Sequence, residues 1–163
     1  DYDAKFVFEE VGYNLEGNEL GAAFGLTQLK KLENNIKIRQ NNFKLQVDFF
    51  KKYSHFFKTP IENDGVSTAW LAFPILINKL APFTRKEFQI YLEERNIQTR
   101  VVFTGNILRQ PMCKNITRRI TPNGLEKTDD VMERGVLLPL HHGMTNKMFQ
   151  RLHETIENFI KRY

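Results

Sequence analysis

Between Glu19 and Phe57, apolar residues recur at Ala22, Leu26, Leu29, Leu32, Ile36, Phe43, Val47 and Phe50. The steps are three, four or seven, the spacing of one helical face, and polar residues fill most of the positions between. The pattern predicts one helix over residues 19–57. At 1.5 Å per residue such a helix is about 60 Å long, so it is expected to reach beyond its own domain. Two helices broken near Asn41–Asn42 are the alternative. The start of the helix is written locally. Asn18 is a strong N-cap, because its side-chain oxygen accepts from the free N–H groups of the first turn. Glu19 suits the positive end of the helix dipole. Gly21, Ala22, Ala23 and Gly25 then let another backbone come close, at a cost of about 1 kcal/mol per glycine, which predicts tight packing there.

The remaining chain alternates short apolar runs with capped helices. Residues 1–11 read as a short strand or an extended lead-in. Thr59 to Ser67 is a loop carrying Pro60, Asn63, Asp64 and Gly65. Ala69–Ile77 is a continuous apolar run of the buried-strand type, with Pro74 marking an edge or a bulge. Thr84 to Glu87 is a capping box, and Asn96 suits a left-handed cap behind that helix. Thr99–Phe103 is the next strand, Thr104–Pro111 a polar loop, and Pro122-Asn123-Gly124 a turn. Thr128 is expected to cap a short helix over 129–134, ended by Gly135. Val136–Leu140 is the third strand. Thr145 caps a last helix with Phe149, Leu152 and Ile156 on one face. The order predicts an α/β or α+β fold, a small sheet covered by helices.

Charge and composition narrow the function classes. The 163 residues are 41% hydrophobic and 12% aromatic, enough for a domain with its own core. No apolar run approaches the ~20 residues of a membrane span. Cys113 is alone, so no internal disulfide forms, which predicts a reducing, cytoplasmic setting. The net charge of +5 comes from Lys and Arg mixed with Glu and Asp along helix faces. No helix-turn-helix, zinc-finger or basic-aromatic pattern accompanies it, so a nucleic-acid partner is not expected. The chain begins at Asp1 in a polar-aromatic run, which reads as the middle of a longer protein.

Four places carry candidate chemistry. Asn14 is either a turn residue or an amide donor to a phosphate oxygen. The stretch Thr104 to Pro111, TGNILRQP, follows a strand end, the usual place for ligand groups in α/β proteins. Its Gly105 allows close backbone approach, and Arg109 can grip a phosphate or carboxylate through two parallel bonds. It is equally readable as a polar connecting loop. His141-His142 lacks Cys, Asp or Glu at ligand spacing, so no metal site is expected. Cys113 has no partner base and is read as structural.

Several stretches also resemble a known family. GYNLEGNELGAAFGLTQLKKL (residues 12–32), TAWLAFPI (68–75), APFTRKEFQIYLEERNIQTR (81–100) and the following VVFTGNILRQP are similar to the C-terminal part of the DegT/DnrJ/EryC1/StrS family. The closest likeness is to its CDP-4-keto-6-deoxyglucose 3-dehydrase branch. The resemblance implies the small C-terminal domain of a fold-type I pyridoxal phosphate-dependent enzyme. Residues 1–18 would be a lead-in from a large domain, 19–57 an interdomain helix, and 58–163 the small domain. It implies pyridoxal or pyridoxamine phosphate as cofactor, a nucleotide-linked sugar as substrate, a homodimer, and in some relatives an iron–sulfur cluster held outside this chain. It implies C3 dehydration of a 4-keto-6-deoxyhexose in deoxysugar or lipopolysaccharide biosynthesis, with the catalytic residue upstream and none in this chain. A sugar-nucleotide aminotransferase and a non-catalytic binding module are the alternatives. By the same resemblance Asn14 reaches the cofactor phosphate across the dimer, and Asn106, Arg109 and Arg100 contact the sugar nucleotide. VLLPLHHGMT (136–145) resembles the loop before the last helix, although His142 stands where the family has Pro.

Overall fold

A computed structural model describes Leu15 and residues 17–163. Asn14 and the lead-in over 1–11 lie outside the described residues. The chain divides into two compact units, residues 1–34 and 35–163.

In the first unit, helix α1 runs over Glu19–Leu29. Its start follows the sequence: the Asn18 side chain accepts from the Gly21 N–H at 2.7 Å. The expected tight packing is not found among the described residues. A Cβ at Gly25 would meet nothing within 4 Å, and α1 buries none of its side chains.

The single helix predicted over 19–57 is two helices. A turn at Lys30–Lys31 separates α1 from α2 (Leu32–Lys51). There the Lys31 N–H bonds to the Gln28 carbonyl, three residues back, at 3.0 Å, the tightened last turn of a closing helix. The alternative break at Asn41–Asn42 does not occur. Asn42 stays helical and turns its amide outward, donating to the His141 carbonyl at 3.0 Å.

The second unit is built on a four-stranded antiparallel sheet in the order β1-β2-β4-β3. β1 is Phe57–Lys58, β2 Ala72–Ile77, β3 Arg100–Val101 and β4 Gly135–Pro139. Antiparallel pairing throughout makes the fold α+β. β1 has no counterpart in the sequence pattern: the helix predicted to run to residue 57 ends at Lys51, and Phe57 enters the sheet opposite Ile77. Pro74 sits in β2 facing Leu137 of β4. β1 reaches only as far as Leu76, so on that side Pro74 lies at a free edge, where a missing N–H is tolerated.

Three helices cover one sheet face: α2, α3 (Arg85–Glu93) and α5 (Asn146–Ile160). Alternate residues Phe73, Ile75 and Ile77 of β2 point into this core with Val136 and Leu138 of β4. Eight of the buried core residues are phenylalanine. α2 supplies Phe43, Phe49 and Phe50, so from about Asn35 onward this helix is part of the domain core. The α3 capping box forms with both reciprocal bonds. Asn96 takes φ 56°, the left-handed cap expected of it. Thr145 caps α5.

Helix α4, Glu126–Arg134, begins three residues before the start predicted from Thr128 and has no side-chain cap. Glu126 and Asp129 lie in its first turn, where the dipole favours carboxylates. It ends where β4 begins. Gly135 has ordinary extended backbone; what demands glycine is space, because a Cβ there would lie 2.5 Å from the Val131 carbonyl oxygen. Arg134 fastens α4 to β2 through the Ile77 carbonyl and pairs with Asp130 at 2.8 Å.

Candidate functional site

The second unit carries a groove of about 1300 Å³ along β2, β4 and the short edge strand β3. Its described lining is mostly apolar, with Trp70, Pro74, Leu137 and Met148 among the walls. Among the described residues two guanidinium groups, Arg100 and Arg151, line it, and no carboxylate does. Arg151 donates to the Arg95 carbonyl at 2.7 Å. Arg100 is exposed. Trp70 is held on three sides. Its ring stacks on Phe43 at 4.9 Å, its indole N–H donates to Glu62 at 2.9 Å, and its carbonyl accepts from Arg39.

The residues carried by the resemblance separate in space. Arg100 lines the groove. Asn106 is buried, 1% exposed, and both ends of its amide are used inside the protein. Its Oδ1 accepts from the Leu108 N–H at 3.1 Å and its Nδ2 donates to Asp129 at 2.7 Å. Arg109 meets the same carboxylate as a fork, Nε at 3.0 Å and Nη2 at 2.7 Å. These bonds hold the Asp129 carboxyl down at about 2, Arg109 contributing most and Asn106 next. Arg109 remains largely exposed. Gly105 does allow a close approach, but to helix α4: a Cβ would lie 2.4 Å from both Cβ and Cγ of Met132. Asn14 lies outside the described residues.

Two groove residues escape sequence reasoning. The sequence marks Trp70 only as part of a strand. Phe103 has φ 47° and is 88% exposed. It follows Val102 in a turn closed by the Gly105 N–H on the Val102 carbonyl at 2.9 Å. A bulky residue with positive φ costs about 1–3 kcal/mol, and an exposed ring regains nothing by packing. The signal for it is weak: one aromatic at the end of a predicted strand.

The two histidines serve the loop before α5. His141 accepts from the Gly143 N–H at 3.0 Å, and His142 Nδ1 faces Arg39 Nη2 at 3.3 Å. Arginine only donates, so His142 Nδ1 is the unprotonated acceptor. Desolvation, then His141 and Arg39, lower its pKa. Among the described residues no three His, Cys, Asp or Glu converge as a metal set. Cys113 is buried and free.

His153 has a different environment. Its ring stacks on Phe49 at 3.8 Å and bonds Gln46 Oε1 at 2.8 Å. Burial pushes its pKa down to about 4, with Glu157 opposing and Lys52 assisting. The native state therefore refuses a proton that the unfolded chain accepts near pH 6.5. Stability is full above that pH and falls as the pH drops from about 6.5 toward about 4. Urea unfolding at pH 7.5 and pH 5 should show this loss, and His153→Gln should reduce it. An unchanged pH slope in the variant would assign the loss elsewhere.

The model of the DegT/DnrJ/EryC1/StrS aminotransferase family matches residues 1–157. The chain belongs to this family. It is 29% identical over 158 residues to the lipopolysaccharide biosynthesis protein RfbH of Salmonella typhimurium, covering 97% of this chain and 36% of that protein. It is 32% identical over 159 residues to a dTDP-4-dehydro-2,6-dideoxy-D-glucose 3-dehydratase of Saccharopolyspora spinosa, covering 98% and 34%. Its fold matches that of GDP-4-keto-6-deoxy-D-mannose-3-dehydratase from E. coli, a structure with bound hydrated PLP. The TM-score there is 0.81 at 25% identity, over 94% of this chain and 39% of that one. The chain thus spans between a third and two fifths of the length of these relatives. Among the described residues no helix is long and apolar enough to cross a membrane.

Proposed function

We propose that this chain is the C-terminal part of a pyridoxal or pyridoxamine phosphate-dependent enzyme. The enzyme removes the C3 hydroxyl of a nucleotide-linked 4-keto-6-deoxyhexose in deoxysugar or lipopolysaccharide biosynthesis. The observation that carries the reading is the match over 98% of the chain to a protein named as a sugar-nucleotide 3-dehydratase. The groove agrees with it in kind: an apolar surface for sugar and base, with Arg100 and Arg151 as its cations and no carboxylate to repel a diphosphate among the described residues. In this reading Arg100 contacts the sugar nucleotide directly. Arg109 keeps Nη1 for the same use, and Asn106 acts from behind the wall.

The cofactor supplies the electron-sink chemistry of such a reaction. No lysine is among the described groove residues, so they do not by themselves make a pyridoxal phosphate site. The cofactor contact that the reading assigns to this chain is Asn14, reaching the phosphate across a homodimer in the cytoplasm. The reading leaves any iron–sulfur cluster to the parent protein outside this chain.

An aminotransferase acting on a similar substrate is the second reading, favoured by the name of the family itself. Family membership over residues 1–157 speaks against a free-standing binding module. The intact protein, supplied with the cofactor, glutamate and CDP-, GDP- or dTDP-linked 4-keto-6-deoxy sugars, decides between the first two. Mass spectrometry and proton NMR should show a product that has lost its C3 hydroxyl. A product with a new amine in place of the ketone would establish the aminotransferase, and no turnover of any sugar nucleotide would count against both.

A further inference from the structure

Residues 102–109 are laid along helix α4, contact by contact. Asp129, Met132 and Gly135 follow at steps of three, along one side of the helix and its end. Against them, in reverse order, stand Arg109 with Asn106, then Gly105, then Val102. Asp129 takes three bonds from Asn106 and Arg109. Gly105 is seated on Met132, and a Cβ on Gly135 would lie 2.9 Å from Val102 Cγ2. Phe103 and Thr104, between these contacts, are turned outward and exposed. Val102 and Phe103 form one wall of the groove.

We propose that Asp129 is a positioning residue, the latch that clamps residues 102–109 to α4 and thereby sets the groove wall at Val102 and Phe103. The wall needs such a clamp. β3 ends at Val101 after two residues, so no ladder bonds extend to Phe103. Its backbone is held at φ 47° with its ring in solvent, an arrangement that surrounding contacts must enforce. The carboxylate is the common acceptor. Without it, Arg109 loses both members of its fork and Asn106 is left with a buried unpaired N–H.

The ligand arm of the test rests on the sugar-nucleotide reading above; the exchange arm does not. In the intact protein, Asp129→Asn should raise hydrogen exchange across residues 102–113 about tenfold, the loss of roughly one charge-assisted hydrogen bond. Amides of β2 and β4 should stay within about twofold, as expected of a local opening. Arg109→Gln, at an exposed position that does not threaten folding, should do the same. Calorimetric titration with CDP, GDP and dTDP should show affinity lowered about tenfold in Asp129→Asn and at least as much in Arg109→Gln, which also removes a direct contact, with the double variant no weaker than Arg109→Gln alone, as for two ends of one latch. Unchanged exchange in both variants would overturn the proposal. So would a ligand loss confined to Arg109→Gln, which would leave Arg109 only its direct contact and Asp129 no part in setting the wall. If the wild-type protein binds no nucleoside diphosphate, the sugar-nucleotide reading fails, and the exchange data still decide the latch.

Discussion

Gly105→Ala should cost about 3–5 kcal/mol of unfolding free energy, the sum of two separate penalties. The first is conformational. Gly105 has φ 65°, a region where a Cβ costs about 1–2 kcal/mol. The second is steric. The added methyl would sit 2.4 Å from Met132 Cβ and Cγ and 2.7 Å from its Cα. The far end of a methionine could swing aside, but Cα and Cβ belong to helix α4 and can retreat only if the helix moves. Gly124 isolates the first penalty: it has φ 72°, and a methyl added there would meet nothing within 4 Å, so Gly124→Ala should cost only about 1 kcal/mol. Urea unfolding of both variants measures the difference. Equal losses at the two positions would mean that α4 yields freely, and the close seat of Gly105 on Met132 would then carry no energetic weight.

Phe50→Ala should cost a similar amount, about 3–5 kcal/mol, by leaving a cavity. Phe50 is fully buried and is where helix and sheet meet. Its ring centre lies 5.1 Å from Phe49, 5.2 Å from Phe57 and 5.5 Å from Phe73, so one side chain joins α2 to β1 and β2. Edge-on pairs such as those with Phe49 and Phe57 add about 0.5–1.5 kcal/mol beyond the area they bury. Phe50→Leu keeps most of the volume and should lose less than half as much. For contrast, Phe24 of α1 is 68% exposed, and Phe24→Ala should change the melting of residues 35–163 little. A Phe50→Ala loss below about 1 kcal/mol would mean that the neighbouring rings collapse into the space.

These effects show where local reading succeeds. The caps at Asn18, Thr84, Asn96 and Thr145 are legible because each depends on a side chain and backbone groups within a few residues. The Lys30–Lys31 turn is not, since neither Gly nor Pro marks it and the apolar spacing runs through it unbroken. β1 escapes notice because its two residues have no pattern of their own, only a partner in β2. Arg109 and Asn106 stand out as a chemically able pair, but their partner lies 20 and 23 residues away on another helix. No spacing rule links those positions.

The sequence by itself determined the family, the alternation of capped helices with short apolar strands, and the residue types available to a ligand. These follow from local hydrogen bonding, from the period of apolar burial and from motifs read in order along the chain. The tertiary structure decided which of those residues face a groove and which face the protein. Arg100 lines the groove, while Asn106 and two arms of Arg109 turn to Asp129. The reason is physical: a charged or amide group goes to the acceptor that completes its bonds, and that acceptor is brought within reach only when α4 packs beside the sheet.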